Sequence, residues 1–284
     1  MKMGDATVTE FGGAPQLPEG PSWVARSANF AVRLTRVRAG TRLVRDDNPD
    51  EYFLLLPDVG ATVTAGGERV EADKGTLVIV PPGASTITAT GEGEIVCVFS
   101  SAATDIMAAA ENNDRYTEPV AAPLVTWPMP TDGYRLRVYK LDDYNRAETL
   151  MRLFRTRNLM INVFRPREVP RDIRKLSPHS HEDFEQGSLC LRGTWSHHLR
   201  YPWTPDLTTW REDREIKVGS PSLTVIPAMV VHTSLNTNEG GSWLVDIFAP
   251  PRADFSRRPG LVNNGDSYPL PPEIAALPPL ATAD

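Results

Sequence analysis

An all-β chain folded as two tandem antiparallel barrels is what this sequence predicts. Three observations lead there: short apolar runs bounded by Gly, Pro or Asp, a scarcity of helical periodicity, and one phrase that occurs twice. Strands of this kind alternate side chains between two faces, and Gly and Pro break the chain where it must turn.

The first block runs from about Ala31 to Ser100 through AVRLTRVRAG, EYFLLLPDVGATVTAGG, ERVEADKGTLVIVPPGAS and GEIVCVFSS, each a strand signal ended by turn residues. The second runs from about Leu159 to Pro250 through LMINVF, FEQGSLCLRGTWSHHLRYPW, KVGSPSLTVIPAMVVHTS and GSWLVDIFAP. KGTLVIVPPGASTI in the first is answered by GSPSLTVIPAMVVHTS in the second: a Gly turn, an apolar strand, a Pro and a polar strand start. Self-similarity on this scale predicts duplication of one barrel-sized unit. The chain then divides into an N-terminal extension (1–29), a first barrel (30–105), a linker with some strands (106–158), a second barrel (159–250) and a Pro-rich tail (251–284). TDIMAAAE, Thr104 to Glu111, is the best helix candidate, and VTWPMPTDGYRLRVYKL in the linker carries strand signals. REDREIK reads as a solvated turn, and the tail, with Asn-Asn-Gly and several prolines, as an extended segment that crosses to the first barrel or to a second subunit.

With 284 residues, 40% hydrophobic and 23% charged, the chain can bury one large core or two modest ones. A formal charge of -6 offers nucleic acid or an anionic membrane no general attraction, so neither is an expected partner. No run approaches the roughly 18 apolar residues of a membrane span, and MKMGDATVTEFGG lacks a secretory h-region, so the expected location is the cytoplasm. Cys97 and Cys190 each sit in an apolar strand-like run and read as buried free thiols.

Chemistry concentrates in the second block, which holds all five histidines: His179, His181, His197, His198 and His232. In PHSHEDFEQG, His179 and His181 are two apart, so on a strand both imidazoles share a face, and Glu185 has the same parity. His232 must be delivered by the fold. Three imidazoles and one carboxylate suit a divalent first-row ion and leave about two of six coordination positions open. His197 and His198, being adjacent, face opposite sides of any strand, and the sequence leaves open which looks inward. Trp195, Arg200, Arg174, Ser234 and Asn236 are further pocket candidates: the arginines could orient a carboxylate, and Ser234 and Asn236 share parity with His232.

PHSHEDFEQGSLCLRG resembles the first signature of the cupin superfamily, through His179, His181, Glu185 and Gly193. IPAMVVHTSLN resembles the second, through His232 and Asn236. Met229 or Val230 stands where many members carry Gly. The first block resembles the same domain with its metal lost: VRDDNPDEYFLLL offers Glu51 after Asp46 and Asp47 but no His, and Ser85 lies near the place of a His. The resemblance implies a bicupin of two jelly-roll barrels, the second holding one divalent transition metal per chain (Fe, Mn, Ni or Zn) on His179, His181, Glu185 and His232. It also implies a homodimer and a small oxygen-rich substrate (carboxylate, diketone or enolisable), handled most simply by a dioxygenase-type oxidoreductase. The alternatives are a sugar or uronate isomerase or lyase with the metal as Lewis acid, and a non-catalytic metal-containing binding protein. No helix-turn-helix or basic module accompanies the barrels to suggest a regulator.

Overall fold

Short β-rich runs separated by turns fold into antiparallel ladders because each such strand can bury one face while its neighbours satisfy its backbone. The computed structural model describes residues 4–13 and 21–281. Its first strands are β1 (Thr7–Glu10), β2 (Ser22–Arg26), β3 (Phe30–Val37), β4 (Arg42–Arg45), β5 (Tyr52–Leu56), β6 (Ala61–Ala65), β7 (Glu68–Ala72), β8 (Thr76–Val80), β9 (Ser85–Ala89) and β10 (Gly93–Ser100), followed by helix α1 (Thr104–Ala108). The remainder comprises β11 (Arg137–Lys140), β12 (Leu153–Arg155), β13 (Met160–Val163), β14 (Gln186–Arg192), β15 (Trp195–Arg200), β16 (Arg214–Val218), β17 (Ser222–Ile226), β18 (Val231–Asn236) and β19 (Trp243–Phe248), with single-turn helices α2 (Ala253–Ser256) and α3 (Pro272–Ala275). The helix expected near Thr104 is therefore present and short. Part of the predicted turn REDREIK is instead the charged edge strand β16, paired with β15 from Leu199↔Arg214 to Trp195↔Val218. Charge on an edge strand discourages pairing with another chain. Among the described residues no helix is long and apolar enough to cross a membrane.

Two barrels of matching topology result. The first sets the sheet β11-β8-β5-β10-β3-β2 against β4-β9-β6-β7, and the second sets β1-β17-β14-β19-β13-β12 against β16-β15-β18. The repeated phrase is a repeated crossing from the large sheet to the small one: β8 and β9 occupy in one barrel the places of β17 and β18 in the other. Strands from outside each repeated block complete the large sheets. β1 pairs with β17, Thr7 opposite Val225, and β11 pairs with β8, Arg137 opposite Ile79.

The large sheets are buried on both faces, and parity sorts their residues. One set forms a core shared between the barrels, with Phe30, Leu55, Ile79 and Val98 from the first and Ile161, Leu189, Val225 and Ile247 from the second. The opposite parity fills each interior: Tyr52, Leu54, Val78 and Phe99 in the first barrel, and Cys190, Trp195, Ile226 and Leu244 in the second. Gly187 lies on the shared face, where a Cβ would fall 2.6 Å from Phe30 Cζ, so the barrels approach closely only because that side chain is missing. The tail crosses to the first barrel, as one of its two expected courses had it. Tyr268 joins the shared core, and its hydroxyl donates to Glu51 Oε1 at 2.7 Å. Cys97 and Cys190 are buried free thiols, and burial pushes each up to about 12.

Candidate metal centre

The segment carrying PHSH is held at the mouth of the second barrel by an isolated antiparallel bridge between His179 and His232. His179 N donates to His232 O at 3.1 Å and His232 N to His179 O at 2.8 Å, so residues far apart in sequence become backbone neighbours. The turn before β18 is fixed by Met229, whose backbone is left-handed with φ 67°. In the first barrel the matching turn carries Gly83 at φ 97°, which shows why glycine suits this place and why a side chain there is strained.

His179, His181 and His232 converge. Their nearest ring nitrogens lie within 4.8 Å of one another, and among the described residues they form a group able to hold a metal ion. Glu185, expected as their fourth partner, is not in the group, and the assignment is corrected. Residues 182–184 bend rather than continue a strand, so the parity of His179 and His181 does not carry into β14. In β14 the even positions face the interior with Cys190, while odd positions face the other barrel with Leu189 and Leu191. Glu185 therefore points between the barrels, where its Oε2 accepts from Ala28 N at 2.7 Å. Burial raises its pKa to about 7, against hydrogen bonds from Ala28 and Tyr116 and the charge of Arg26.

Gln186 occupies the place intended for Glu185. Its Oε1 lies 3.0 Å from His181 Nε2 and 3.2 Å from His232 Nε2. Its Nε2 donates to Ser188 Oγ at 3.1 Å and Asp246 Oδ1 at 3.2 Å, which fixes the amide with its carbonyl toward the histidines. Asp246 also accepts from Ser188 Oγ at 3.0 Å, and burial raises its pKa to about 7.

The chemistry of this donor set fits a cation. His179 Nδ1 lies 2.9 Å from Ser177 O, and His232 Nδ1 lies 2.9 Å from Val230 O. A carbonyl only accepts, so both Nδ1 atoms carry the proton and both Nε2 atoms present lone pairs. His232 Nε2 and Gln186 Oε1 then face one another as two acceptors with no proton between them. Donors each about 2.1 Å from one ion and at right angles to each other stand about 3 Å apart, which matches the separations of Gln186 Oε1 from His181 Nε2 and His232 Nε2. Burial keeps the imidazoles neutral, as ligation requires: His181 is lowered to about 3 by burial and then Arg252, His232 to about 4 by burial and then His179, and His179 is lowered by burial. Phe184 stacks on His181 with ring centroids 4.7 Å apart.

Beside the cluster lies a cavity of about 100 Å³ whose lining includes His179, Gln186 and His232 together with Arg165, Arg167 and Arg171. Trp195 and Ser234, both anticipated, also line it. The question left open for the adjacent histidines is resolved by β15: His197 is buried, with Nδ1 2.7 Å from Ser234 Oγ, and His198 is exposed. Burial lowers His197 to about 4.

Five anticipated pocket residues, His197, His198, Arg200, Arg174 and Asn236, do not line this cavity. Arg200 is exposed on β15 and bound to Asp213 at 2.7 Å, and Arg174 is exposed and bound to Asp172 at 3.1 Å. Asn236 is buried, but its amide is spent on tethering residues 165–177: Oδ1 accepts from Arg171 N at 3.0 Å and Nδ2 donates to Val169 O at 2.9 Å. Sequence reasoning missed Gln186, Asp246 and the three pocket arginines. The arginines had a signal in RPREVPR, which directly follows the strand run LMINVF, and Gln186 had one in the parity of Cys190.

In the first barrel the corresponding space is filled. Tyr52 stacks on Phe99 with centroids 4.8 Å apart, and its hydroxyl lies 3.0 Å from Ser85 Oγ. Glu51, directly before β5 as Glu185 is directly before β14, likewise faces the other barrel, and burial raises it to about 7.

No family model matches the chain, and no curated protein matches it. Solved structures do. Lactobacillus farciminis oxalate decarboxylase in a formate complex aligns with TM-score 0.56 and 15% identity over 88% of this chain and 88% of its own. A serine-to-alanine point mutant of Bacillus subtilis oxalate decarboxylase aligns at 0.57 and 13%, over 90% and 82%. The Escherichia coli protein Ylba aligns at 0.58 and 12%, over 88% and 92%. At these identities the likeness concerns the fold, which is the cupin jelly roll that the two sequence signatures implied.

Proposed function

We propose that the second barrel binds one divalent transition metal through His179, His181, His232 and Gln186 and is the active site of a metal-dependent enzyme for a small oxygen-rich substrate, of the dioxygenase type. The observation that carries this reading is the convergence of three ring nitrogens in which His232 Nε2, unprotonated, faces Gln186 Oε1 at 3.2 Å with no proton between them. Mn(II) centres are described for Bacillus subtilis oxalate decarboxylase, which shares the fold with TM-score 0.55. Bound here, the ion would supply Lewis acidity to a substrate oxygen and, where it is iron, electrons for dioxygen chemistry.

The chain's own groups do the rest. Asp246 and Ser188 hold Gln186 with its oxygen turned to the histidines, and Ser177 and Val230 carbonyls hold His179 and His232 in the required tautomer. His179 is exposed, so the cluster is open to a substrate from solvent. Trp203 is 78% exposed and stacked on Trp210, whereas Trp195 is buried and forms part of the cavity wall.

One observation favours the isomerase or lyase reading: all four proposed donors are uncharged. The ion then keeps its full charge, which strengthens Lewis acidity and makes oxidation of the metal harder. Elemental analysis of the purified protein is expected to find close to one transition metal per chain. With iron, oxygen uptake is expected on some member of a panel of diketones, catechols and oxo-acids. Silence across that panel, with isomerisation of a uronate under zinc or manganese, would transfer the assignment to the second reading.

A further inference from the structure

The arginines above the metal pocket are not equivalent. Arg171 is spent on the chain: Nη1 donates to Ser234 O at 3.1 Å, and Nη2 to Lys175 O at 3.1 Å and Ser177 Oγ at 3.0 Å. Arg165 donates to Thr149 O at 3.1 Å. Arg167 lines the same cavity, yet among the described residues its guanidinium meets no hydrogen-bond or ion-pair partner. Its backbone is nevertheless fixed by Ser242, with Arg167 N donating to Ser242 O at 2.8 Å and Ser242 N to Arg167 O at 2.7 Å. The side chain is half-buried, and burial and Arg171 together lower its pKa. A guanidinium withdrawn from water without a partner is costly unless an anion meets it. The one carboxylate lining the cavity, Asp246, is already bonded to Gln186 and Ser188.

We infer that Arg167 is the carboxylate receptor of this pocket and that the substrate is a short acid of two to four carbons with a second oxygen function, a 2-oxo acid, 2-hydroxy acid or dicarboxylate, seated between Arg167 and the His179–His181–His232–Gln186 cluster. This rests on the proposed metal site, which would take the second oxygen function. A planar fork of N–H donors matches a carboxylate in two parallel bonds, and a neutral diketone offers it less. The cavity of about 100 Å³ accommodates a few water-sized groups and is too small for a polyphenol.

The test uses the full chain loaded with Mn(II), its metal content measured before and after titration with pyruvate, malonate or the neutral diketone acetylacetone. The acids are expected to bind at least tenfold more tightly than acetylacetone. Arg167→Gln is expected to weaken the acids about ten- to hundredfold, the range for a charge-assisted hydrogen bond, while leaving metal content and acetylacetone affinity unchanged. Arg167→Met, of similar length, serves should the Gln variant not fold. Unaltered acid binding in the variant, or equal losses for acids and diketone, overturns the assignment of Arg167. A wild-type chain that takes up no metal defeats the metal reading instead, and a metal-loaded chain that ignores the acids defeats only the substrate class.

Discussion

Gln186→Leu and Glu185→Gln are neighbouring changes with opposite expected consequences for metal binding. Leu at 186 removes the oxygen that lies 3.0 Å from His181 Nε2 and 3.2 Å from His232 Nε2, leaving three imidazoles and water to hold the ion. It also deprives Asp246 and Ser188 of the Gln186 amide, whose loss from a buried network costs about 1–3 kcal/mol of stability. Loss of one neutral ligand is expected to weaken the metal about 10–100-fold, equivalent to about 1.4–2.7 kcal/mol. Glu185→Gln keeps the shape of a side chain that faces the other barrel and accepts from Ala28 N, so metal affinity should stay within about twofold of wild type, a difference under ~0.4 kcal/mol. Competition with a chromophoric chelator, with circular dichroism to confirm folding, reads both affinities. Loss of metal in Glu185→Gln with retention in Gln186→Leu would restore the carboxylate as ligand and refute the parity assignment.

His232→Ala is expected to abolish stoichiometric metal in elemental analysis, whereas Ser85→Ala in the first barrel should leave it at the wild-type level. Met229→Val should destabilise the chain by about 1–3 kcal/mol in urea melts, since a β-branched residue at φ 67° adds strain, and Met229→Gly should be neutral or gain up to about 1 kcal/mol. Glu51 is raised from 4.5 to about 7, so its contribution is fully present below pH 4.5 and is lost as pH rises through 7. Glu51→Gln, which can still accept from Tyr268, should therefore gain about 3 kcal/mol on wild type between pH 4.5 and 8, and parallel stability curves would refute this. Light scattering of the 31.3 kDa chain is expected to return the mass of a dimer, and a monomer mass would remove that expectation.

The strands of both barrels are legible because each announces itself by composition and by Gly or Pro at its ends. The duplicated strand–turn–strand unit is legible in KGTLVIVPPGASTI and GSPSLTVIPAMVVHTS. The three clustered histidines are legible for a related reason: spacing of two places His179 and His181 together, and the Pro turn announces the strand of His232. What fails is a count carried through a bend. Counting by twos from His181 reaches Glu185, but the chain leaves strand geometry at residues 182–184, and β14 re-enters with the opposite residue inward. The apolar pair Leu189 and Leu191 then reads naturally as barrel filling, although a sheet shared by two barrels buries both its faces. Arg200 and Arg174 fail for want of any local signal. Arg200 is exposed because it shares the outward face of β15 with His198, and Arg174 because it lies in a loop whose course is set by Asn236 and Ser242.

The placement of β1 bears on how the protein is made. Thr7–Glu10 leaves the ribosome before either barrel, yet it docks beside residues 222–225, which are synthesised only after the whole first barrel and most of the second. Until then Thr7–Glu10 has no ladder partner, and without Thr7–Glu10 the strand that leads into the His232 turn would keep an open side. Completion of the second barrel is thereby tied to synthesis of both distant segments, and a nascent chain halted before residue 222 cannot close it.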